Sequence, residues 1–333
     1  MHLTDEQPFL DAVFDRYADD RPRLVYADFL DDSGQPERAE LVRVQLALAR
    51  LTADDERRPA LADRQAELLT NNRQAWTAGL TGLVDSVDFR RGVPDSVYVG
   101  AAAFLARGDD ILRAVRVRRL TLRDAGPHLR ELASSPLLAR IRELDLCNCG
   151  LGHEELALLA KAPATANLQA LDLGFNGIDD AGVELLARSP HLGNLRALAL
   201  NDNDRITDAG ARALAQAPAF AGLTALDVSG NDLGDGGLVA LLSGRAFPRL
   251  SALRMSGNRI GDAGASALAR SPVFARMLKA EREFTLRANV IGHAGAAALA
   301  AAPALARCAG LDLSHNYLGD PGVGAVLDSP HLG

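Results

Sequence analysis

The stretch "LDLGFNGIDDAG", Leu171 to Gly182, decides the fold because five later stretches repeat it with substitutions. These read "LALNDNDRITDAG", "LDVSGNDLGDGG", "LRMSGNRIGDAG", "FTLRANVIGHAG" and "LDLSHNYLGDPG". The asparagines of the six copies, at intervals of 27, 28, 27, 31 and 27 residues, are Asn176, Asn203, Asn231, Asn258, Asn289 and Asn316. A period of this size predicts a solenoid, which is a stack of similar structural units.

Each unit begins with a pattern typical of a short strand. Leucine-like residues occupy positions 1, 4 and 6, asparagine occupies position 9 and an apolar residue position 11, as in Leu168, Leu171, Leu173, Asn176 and Ile178. Positions 4 and 6 share one face of a strand, and positions 3, 5 and 7 share the other. We therefore expect the strands of successive units to form a parallel sheet whose solvent face carries positions 3, 5 and 7.

The asparagine at position 9 has a physical reason to recur. Its amide can donate to and accept from backbone groups that are freed where the chain turns out of a strand. Repetition predicts a ladder of such side chains, with a cysteine at the same position in "IRELDLCNCGL". The predicted ladder residues are Cys149, Asn176, Asn203, Asn231, Asn258, Asn289 and Asn316.

The second half of each unit is typical of a helix. A glycine is followed four residues later by an apolar residue, as at Gly182 and Leu186, and in most units a proline ends the segment. An aspartate two residues before the glycine, as at Asp180, is favoured there by the helix dipole. Helices pack about 8 to 10 Å apart and strands about 4.8 Å apart, so the stack is expected to curve into a horseshoe with the sheet on its concave face.

Composition indicates an ordinary soluble protein. Of the 333 residues 48% are hydrophobic and 24% charged, and the net charge of −7 argues against broad nucleic-acid binding. Three cysteines give no disulfide framework, and the beginning "MHLTDEQPFLDAVFDR" has no signal-peptide pattern. We predict a cytoplasmic protein with neither nucleic acid nor membrane as a partner.

The first part of the chain lacks the repeat pattern and has helical spacing instead. Four segments with helical spacing precede the change near residues 79–83, which predicts a helical domain over 1–82. The predicted repeat domain covers 83–333, with a degenerate leading and capping segment at 83–116 and repeats at 117–333. We expect the only tryptophan, Trp76, to pack the helical domain onto the repeats.

The repeat pattern "LxxLxLxxNxL" followed by "xDAGxxxLA" resembles the ribonuclease-inhibitor-like class of leucine-rich repeats. "RPRLVYADFLDDSGQPERAELVRVQLAL", residues 21–48, resembles the bacterial repeat-companion domain, a helical module at the N-terminus of some repeat proteins. These resemblances imply an α/β leucine-rich-repeat solenoid, a curved horseshoe with a parallel sheet on the concave face and helices on the convex face. A small all-helical N-terminal domain precedes it. The second resemblance implies a bacterial protein and adds architecture without implying a biochemical activity.

Motifs that carry catalysis or cofactor binding are absent from the sequence. It has no GxSxG elbow, phosphate-binding loop or dinucleotide fingerprint, and no pair of histidines has catalytic or metal spacing. Cys147, Cys149 and His153 could supply three metal ligands, but a structural site needs a fourth and none is evident. We predict no catalytic residue, no cofactor and no metal.

An acidic cluster in the N-terminal part has two interpretations. Asp28, Asp31 and Asp32 could form a metal or catalytic site. Their helical spacing favours a solvated helix end with arginines such as Arg43 as partners.

The concave face is the predicted binding surface. Alanine recurs at position 3 of the central units and leaves room for a partner, while several aspartates at position 5 supply charge. Aspartate at this position is also a common filler of the repeat. The predicted partner-binding residues are Asp145, Asp172, Ala197, Asn201, Ala225, Asp227, Arg254, Arg287 and Asp312.

We predict a non-enzymatic scaffold that binds an unknown protein through the concave face. The alternative is a regulator of an enzyme, such as a nuclease inhibitor or a GTPase-activating protein, and the latter would need a positioned arginine such as Arg254 or Arg287. The final "SPHLG", identical to residues 189–193, stops where another unit would begin. We therefore also expect self-association through an uncapped C-terminal end.

Overall fold

The computed structural model of the protein describes residues 3–52, 55–243 and 247–332. The chain divides into two compact units, Met1–Leu120 and Thr121–Gly333. The domain boundary predicted after residue 82 lies within the first unit. It stays a prediction, because it rests on sequence pattern rather than on compactness.

The first unit begins with four helices. They are α1 (Leu3–Asp15), α2 (Arg21–Asp32), α3 (Pro36–Arg50) and α4 (Arg58–Trp76). A proline lies within the first two positions of α2, α3 and α4, where its missing N–H costs no helical hydrogen bond. The predicted helical N-terminal region is thereby confirmed.

A hairpin follows the helices of the first unit. Strands β1 (Ser86–Arg90) and β2 (Val93–Gly100) pair in antiparallel fashion, and α5 (Ala101–Ala114) comes next. Gly92, at the hairpin turn, has a φ of +88°, and a Cβ there would lie 2.3 Å from the Cα of Val42 in α3. Only glycine allows this close approach.

The helices and the hairpin of the first unit share one core. Trp76, at the end of α4, lies edge-on against Phe89 of β1, with ring centroids 5.8 Å apart. Its contact is therefore made inside the first unit. The buried residues of the core are Val13, Tyr26, Ala27, Leu30, Ala39, Val42, Leu46 and Val93.

Short strands recur through the second unit, after β3 (Arg119–Arg123) at the division between the units. Successive strands from β4 to β8 pair in parallel with matching register, so that Ala197 is opposite Ala225. The strands are β4 (Glu143–Asp145), β5 (Ala170–Asp172), β6 (Ala197–Ala199), β7 (Ala225–Asp227), β8 (Ala252–Arg254), β9 (Glu283–Thr285) and β10 (Gly310–Asp312). Position 4 of β4 to β9 is buried, as at Leu198, which is 2% exposed, and position 4 of β10, Leu311, is half-buried.

A helix follows each of these strands, as the sequence predicts. The helices are α6 (Leu129–Ser134), α7 (His153–Lys161), α8 (Asp180–Ala187), α9 (Asp208–Gln216), α10 (Asp235–Ser243), α11 (Asp262–Ala269), α12 (Pro272–Ala280), α13 (His293–Ala300) and α14 (Gly319–Leu327). Alternating strands and helices with a parallel sheet confirm the predicted α/β solenoid class. Among the described residues, no helix is both long enough and apolar enough to span a membrane.

The regular sheet is interrupted between β8 and β9. In the described part of the chain no ladder joins these two strands, and β9 pairs only with β10. The interruption lies in the 31-residue interval between Asn258 and Asn289. The additional helix α12 lies in this interval. The 28-residue interval from Asn203 to Asn231 has only a 3₁₀ turn before its strand. The longer connection accounts for the displaced strand.

Candidate functional site

Small side chains form a strip on the solvent face of the parallel sheet. Ala170, Ala197, Ala225 and Ala252 occupy position 3 of β5 to β8 and are paired in register. Each is half-buried, and a methyl group covers little of the backbone beneath it. We call these four residues the alanine strip. Glu143 stands beside the strip in β4, opposite Ala170, and is 7% exposed.

Aspartates at position 5 lie next to the strip and stabilise the strand ends. One carboxylate oxygen accepts a hydrogen bond from the backbone N–H two residues later, which holds the turn out of the strand. The donor–acceptor pairs are Cys147–Asp145 (3.0 Å), Gly174–Asp172 (2.9 Å), Ser229–Asp227 (3.0 Å) and Ser314–Asp312 (2.9 Å). These bonds orient the carboxylates, and hydrogen bonds from Ser314 lower the pKa of Asp312.

Cys147 lies on this face as an unreactive thiol. Burial, together with the nearby carboxylates of Asp172 and Asp145, disfavours the thiolate and raises the pKa of Cys147 to about 11. Cys149 is buried, and its Sγ donates to the carbonyl oxygen of Leu122 at 3.1 Å. Within the described ranges, no three histidine, cysteine or acidic side chains form a group that could hold a metal ion.

Asn201 lies over the end of the neighbouring strand. Its Nδ2 donates to the Asp202 carboxylate at 2.8 Å. A Cβ on Gly174 would lie 2.8 Å from the Asn201 Oδ1, so the glycine makes room for the amide. The carboxamide therefore forms part of the solvent face beside the alanine strip.

The two arginines of the predicted surface lie at the irregular end of the sheet. Arg254 Nη2 is 3.7 Å from the Glu281 Oε1, and both side chains are exposed. Arg287 Nη1 donates to Ser314 Oγ at 3.4 Å. Each guanidinium therefore has a partner within the chain.

The position-9 side chains bond three segments of backbone. Asn203 is fully buried, and its Nδ2 donates to Leu173 O at 3.1 Å and to Leu200 O at 3.0 Å. Its Oδ1 accepts from Asn176 N at 3.0 Å and from Ile178 N at 2.9 Å, both in the preceding repeat. The same acceptor role is taken by Asn176, Asn258, Asn289 and Asn316 toward Cys149 and Leu151, Leu233, Ile260 and Ile291.

Asn231 departs from this pattern. Its Nδ2 donates to Leu200 O and Val228 O, but its buried Oδ1 has no hydrogen-bond partner among the described residues. The preceding interval is one residue longer, and Ile206 N donates instead to the backbone oxygen of Asn203 at 3.0 Å. The extra residue removes the donor that the other acceptors use.

A second set of contacts between repeats, not foreseen from the sequence, lies at the helix starts. Asp180 Oδ1 accepts from Thr207 N at 2.8 Å and from Gly210 N at 2.7 Å, both in the following repeat. The same bond joins Asp208 to Gly234 (2.8 Å), Asp235 to Gly261 (2.6 Å) and Asp262 to Gly292 (2.7 Å). We call these four aspartates the helix aspartate series. The sequence signal for these contacts was the recurrence of aspartate two residues before glycine. The glycine is needed because a Cβ at Gly210 would lie 2.6 Å from the Oδ1 of Asp180 in the preceding repeat.

The acidic cluster of α2 is a solvated helix end. Arg43 Nη2 lies 2.7 Å from Asp28 Oδ1 and 2.8 Å from Asp31 Oδ2, with all three side chains exposed. The hydrogen bonds that the guanidinium of Arg43 donates to the carboxylates of Asp31 and Asp28 raise its pKa.

Comparison with known proteins identifies the repeats. The Leucine Rich repeat family model matches residues 166–187, 191–215, 223–242, 250–269 and 311–327. No curated protein sequence matches the chain.

Two solved structures resemble the chain at low identity. An internalin (inlF) from Listeria monocytogenes is 18% identical over 71% of this chain and 72% of its own, with a TM-score of 0.38. The Rad7 and Elc1 complex in yeast is 12% identical over 91% of this chain and 74% of that one, with a TM-score of 0.46. At these values neither structure supports a functional argument. The matched repeats, together with the alternating strands and helices, show that this chain contains leucine-rich repeats in an α/β leucine-rich-repeat fold.

Proposed function

We propose that the protein is a non-enzymatic scaffold that binds a protein partner through the solvent face of its repeat sheet, the concave face in the resembled class. The alanine strip carries this proposal, because it leaves a shallow channel along four neighbouring strands. The surface consists of Asp145, Asp172, Ala197, Asn201, Ala225, Asp227, Arg254, Arg287 and Asp312. No cofactor or metal takes part.

The aspartates beside the strip suit the capture of a charged partner. A hydrogen bond from the backbone fixes each carboxylate, so little side-chain entropy is lost when a partner binds. Their charges steer the approach, and the partner's side chains occupy the space above the alanines.

The finer identity of the protein is part of the same proposal. We assign the repeats to the ribonuclease-inhibitor-like class and residues 1–82 to a bacterial repeat-companion domain. Residues 83–116 then lead into repeats at 117–333, and the protein works in the cytoplasm. The helical spacing in "RPRLVYADFLDDSG" and the repeat pattern support this assignment.

The second candidate function is a regulator of an enzyme, and the observations support it less well than the scaffold. A GTPase-activating protein needs an arginine that is available to a developing phosphate charge. Arg254 is instead 3.7 Å from Glu281, and Arg287 donates to Ser314. The alanine strip requires no such residue.

We further propose self-association through the apolar surface of the last described repeat. Tyr317 is 74% exposed, and Val323 and Leu327, one turn apart on α14, are 47% and 80% exposed. Removing this apolar area from water would stabilise a dimer. Light scattering across concentrations is expected to show a dimer that Leu327→Asp dissociates, and a monomer at every concentration would contradict it.

The experiment for the scaffold compares matched surfaces. A partner is first isolated from native lysate and identified, and its affinity is then measured. Ala197→Arg with Ala225→Arg is expected to abolish binding, because two long cations fill the channel. The control pair, Arg188→Glu with Arg212→Glu on helices α8 and α9, is expected to bind normally with the same melting temperature. The opposite result would place the binding surface on the helices.

The contribution of charge is tested separately. Asp145→Asn, Asp172→Asn and Asp227→Asn keep an acceptor oxygen for the strand-end bond while removing the charge. We expect slower association and a weaker salt dependence with little change in dissociation. Unchanged association kinetics would show that the aspartates are structural only.

A further inference from the structure

The interruption between β8 and β9 leaves backbone groups unpaired on the proposed binding face. At four successive interfaces, the N–H of position 3 donates to the carbonyl oxygen of position 2 in the preceding repeat. These bonds are Ala170–Arg142 (3.1 Å), Ala197–Gln169 (3.0 Å), Ala225–Arg196 (3.0 Å) and Ala252–Thr224 (3.0 Å). At the next interface the equivalent acceptor, Ser251 O, receives no such bond within the described chain.

The interruption is a wedge. Beyond the strands, Gly257 N donates to Arg287 O at 2.9 Å, and Asn289 Nδ2 donates to Met255 O at 3.1 Å. The two strands are therefore joined after their carboxyl ends and separated at their amino ends. Because one end is closed, a whole strand cannot enter between them.

A cavity of about 50 Å³ occupies the wedge. The buried side chains of Met277 and Phe284 line it, together with the exposed residues Arg254, Glu281 and Glu283. A water needs roughly 10 to 15 Å³ of such volume, so the cavity accepts the tip of one side chain. We call it the split-sheet notch.

Charge at the notch favours a cation. Glu283 occupies position 3, where β5 to β8 carry alanine. Glu281 occupies position 1, where the repeats of β5 to β8 carry leucine. Arg254 lies 3.7 Å from Glu281, whereas Glu283 has no ion pair among the described residues. The Arg276 guanidinium donates to Leu250 O and Pro248 O, just before Ser251, and is therefore already engaged. A compact donor with three N–H groups matches the oxygens of Glu283 and Ser251 better than a planar guanidinium.

We infer that the split-sheet notch receives the ammonium group of a lysine from the protein partner. This inference rests on the proposed function, since the notch lies on the same face as the alanine strip. The lysine would fix the register of the partner along an otherwise uniform channel. The apolar walls accommodate its methylene groups, and Glu283 and Ser251 O accept from its nitrogen.

The test uses Nα-acetyl-lysine methylamide as the probe and the full chain. Amide chemical shifts are expected to change and saturate at residues 251–255 and 281–285. The norleucine analogue, which lacks the ammonium group, is expected to cause no saturable change. Shifts of equal size around Asp145, Asp172 and Asp227, or no saturable shift, would overturn the assignment.

Two variants locate the probe. Glu283→Ala restores the residue of the other strands and is expected to weaken probe binding about tenfold, the effect of one charge-assisted hydrogen bond. Asp172→Asn, on β5, is expected to leave it unchanged. If thermal melting shows that both proteins are folded and the probe binds Glu283→Ala and the wild type with equal affinity, the notch is not the lysine site.

Partner binding separates this inference from the scaffold proposal. When Ala197→Arg with Ala225→Arg abolishes binding, Glu283→Ala is expected to weaken the same complex. Loss of binding in the alanine variant with full affinity in Glu283→Ala would reject the notch and keep the scaffold. Full affinity in both variants would reject both.

Discussion

Two hydrogen-bond series join successive repeats, and they run in opposite directions. Except at Asn231, the position-9 asparagines accept backbone N–H groups from the preceding repeat, as Asn203 does from Asn176. The helix aspartate series accepts from the following repeat, as Asp180 does from Thr207. Each repeat is thus held to its neighbours on the strand side by an amide and on the helix side by a carboxylate.

The exposure of each position to water explains why one series uses asparagine and the other aspartate. Asn203 is fully buried, and a neutral amide there can satisfy all its polar atoms with backbone partners. Asp180 is half-buried, so its charge keeps solvent contact while its oxygens accept stronger, charge-assisted bonds. Asparagine and aspartate therefore recur with similar regularity in this chain for different physical reasons.

The largest effect is expected for Asn203→Ala. The variant loses bonds to two strands and leaves backbone groups of three segments unpaired. We expect a decrease in the free energy of unfolding of about 3 kcal/mol, measured by chemical denaturation. A decrease below about 1 kcal/mol would mean that water replaces the amide.

Asp180→Ala is expected to cost about 2 kcal/mol, because Thr207 N, Thr207 Oγ1 and Gly210 N lose a charged acceptor. Asp180→Asn keeps one acceptor oxygen, so its free energy of unfolding is expected to decrease less than that of Asp180→Ala. Thermal and chemical denaturation of the two variants should rank them in this order. Equal stability of both variants and the wild type would remove the helix aspartate series as a source of stability.

Gly210→Ala tests why glycine accompanies the aspartate. The added Cβ would lie 2.6 Å from Asp180 Oδ1, which is expected to decrease the free energy of unfolding by about 1 kcal/mol despite the better helix propensity of alanine. The control is Gly324→Ala in α14, where a Cβ meets nothing within 4 Å. It is expected to increase stability by up to about 1 kcal/mol. The same sign in both variants would contradict the steric explanation.

The smallest effect is expected for Asn231→Ala. Its Oδ1 has no partner in the described part of the chain, so the substitution removes a buried unsatisfied atom together with the donated bonds. We expect a loss of about 1 kcal/mol, less than that of Asn203→Ala in the same denaturation experiment. A loss as large as that of Asn203→Ala would show that the donated bonds alone stabilise this position.

Much of the architecture could be predicted because the repeat makes each element local. The spacing of Leu171 and Leu173 indicates a strand with one buried face, and the glycine of "DDAG" marks a helix start. Both are confirmed, as are the helices of the N-terminal region. The binding surface remains a proposal, because nothing in the repeat pattern specifies a partner.

Other features depend on contacts across repeats and could not be predicted. The unpaired Oδ1 of Asn231 results from one extra residue in the preceding interval, which is visible in the sequence without its consequence. The cross-repeat role of Asp180 was hidden by a sufficient local reason, the helix dipole. A local explanation can therefore mask a tertiary one.

The sequence by itself determined the strand–helix alternation and the buried positions. A periodic pattern is enough for these because each unit can bury its apolar side chains only by stacking on the next. Among the described residues, the tertiary structure decided which polar groups remained unpaired, namely the side-chain Oδ1 of Asn231 and the backbone oxygen of Ser251 at the split between β8 and β9. Hydrogen bonds require donor and acceptor to meet within a few tenths of an ångström, and the arrangement of neighbouring repeats sets that distance.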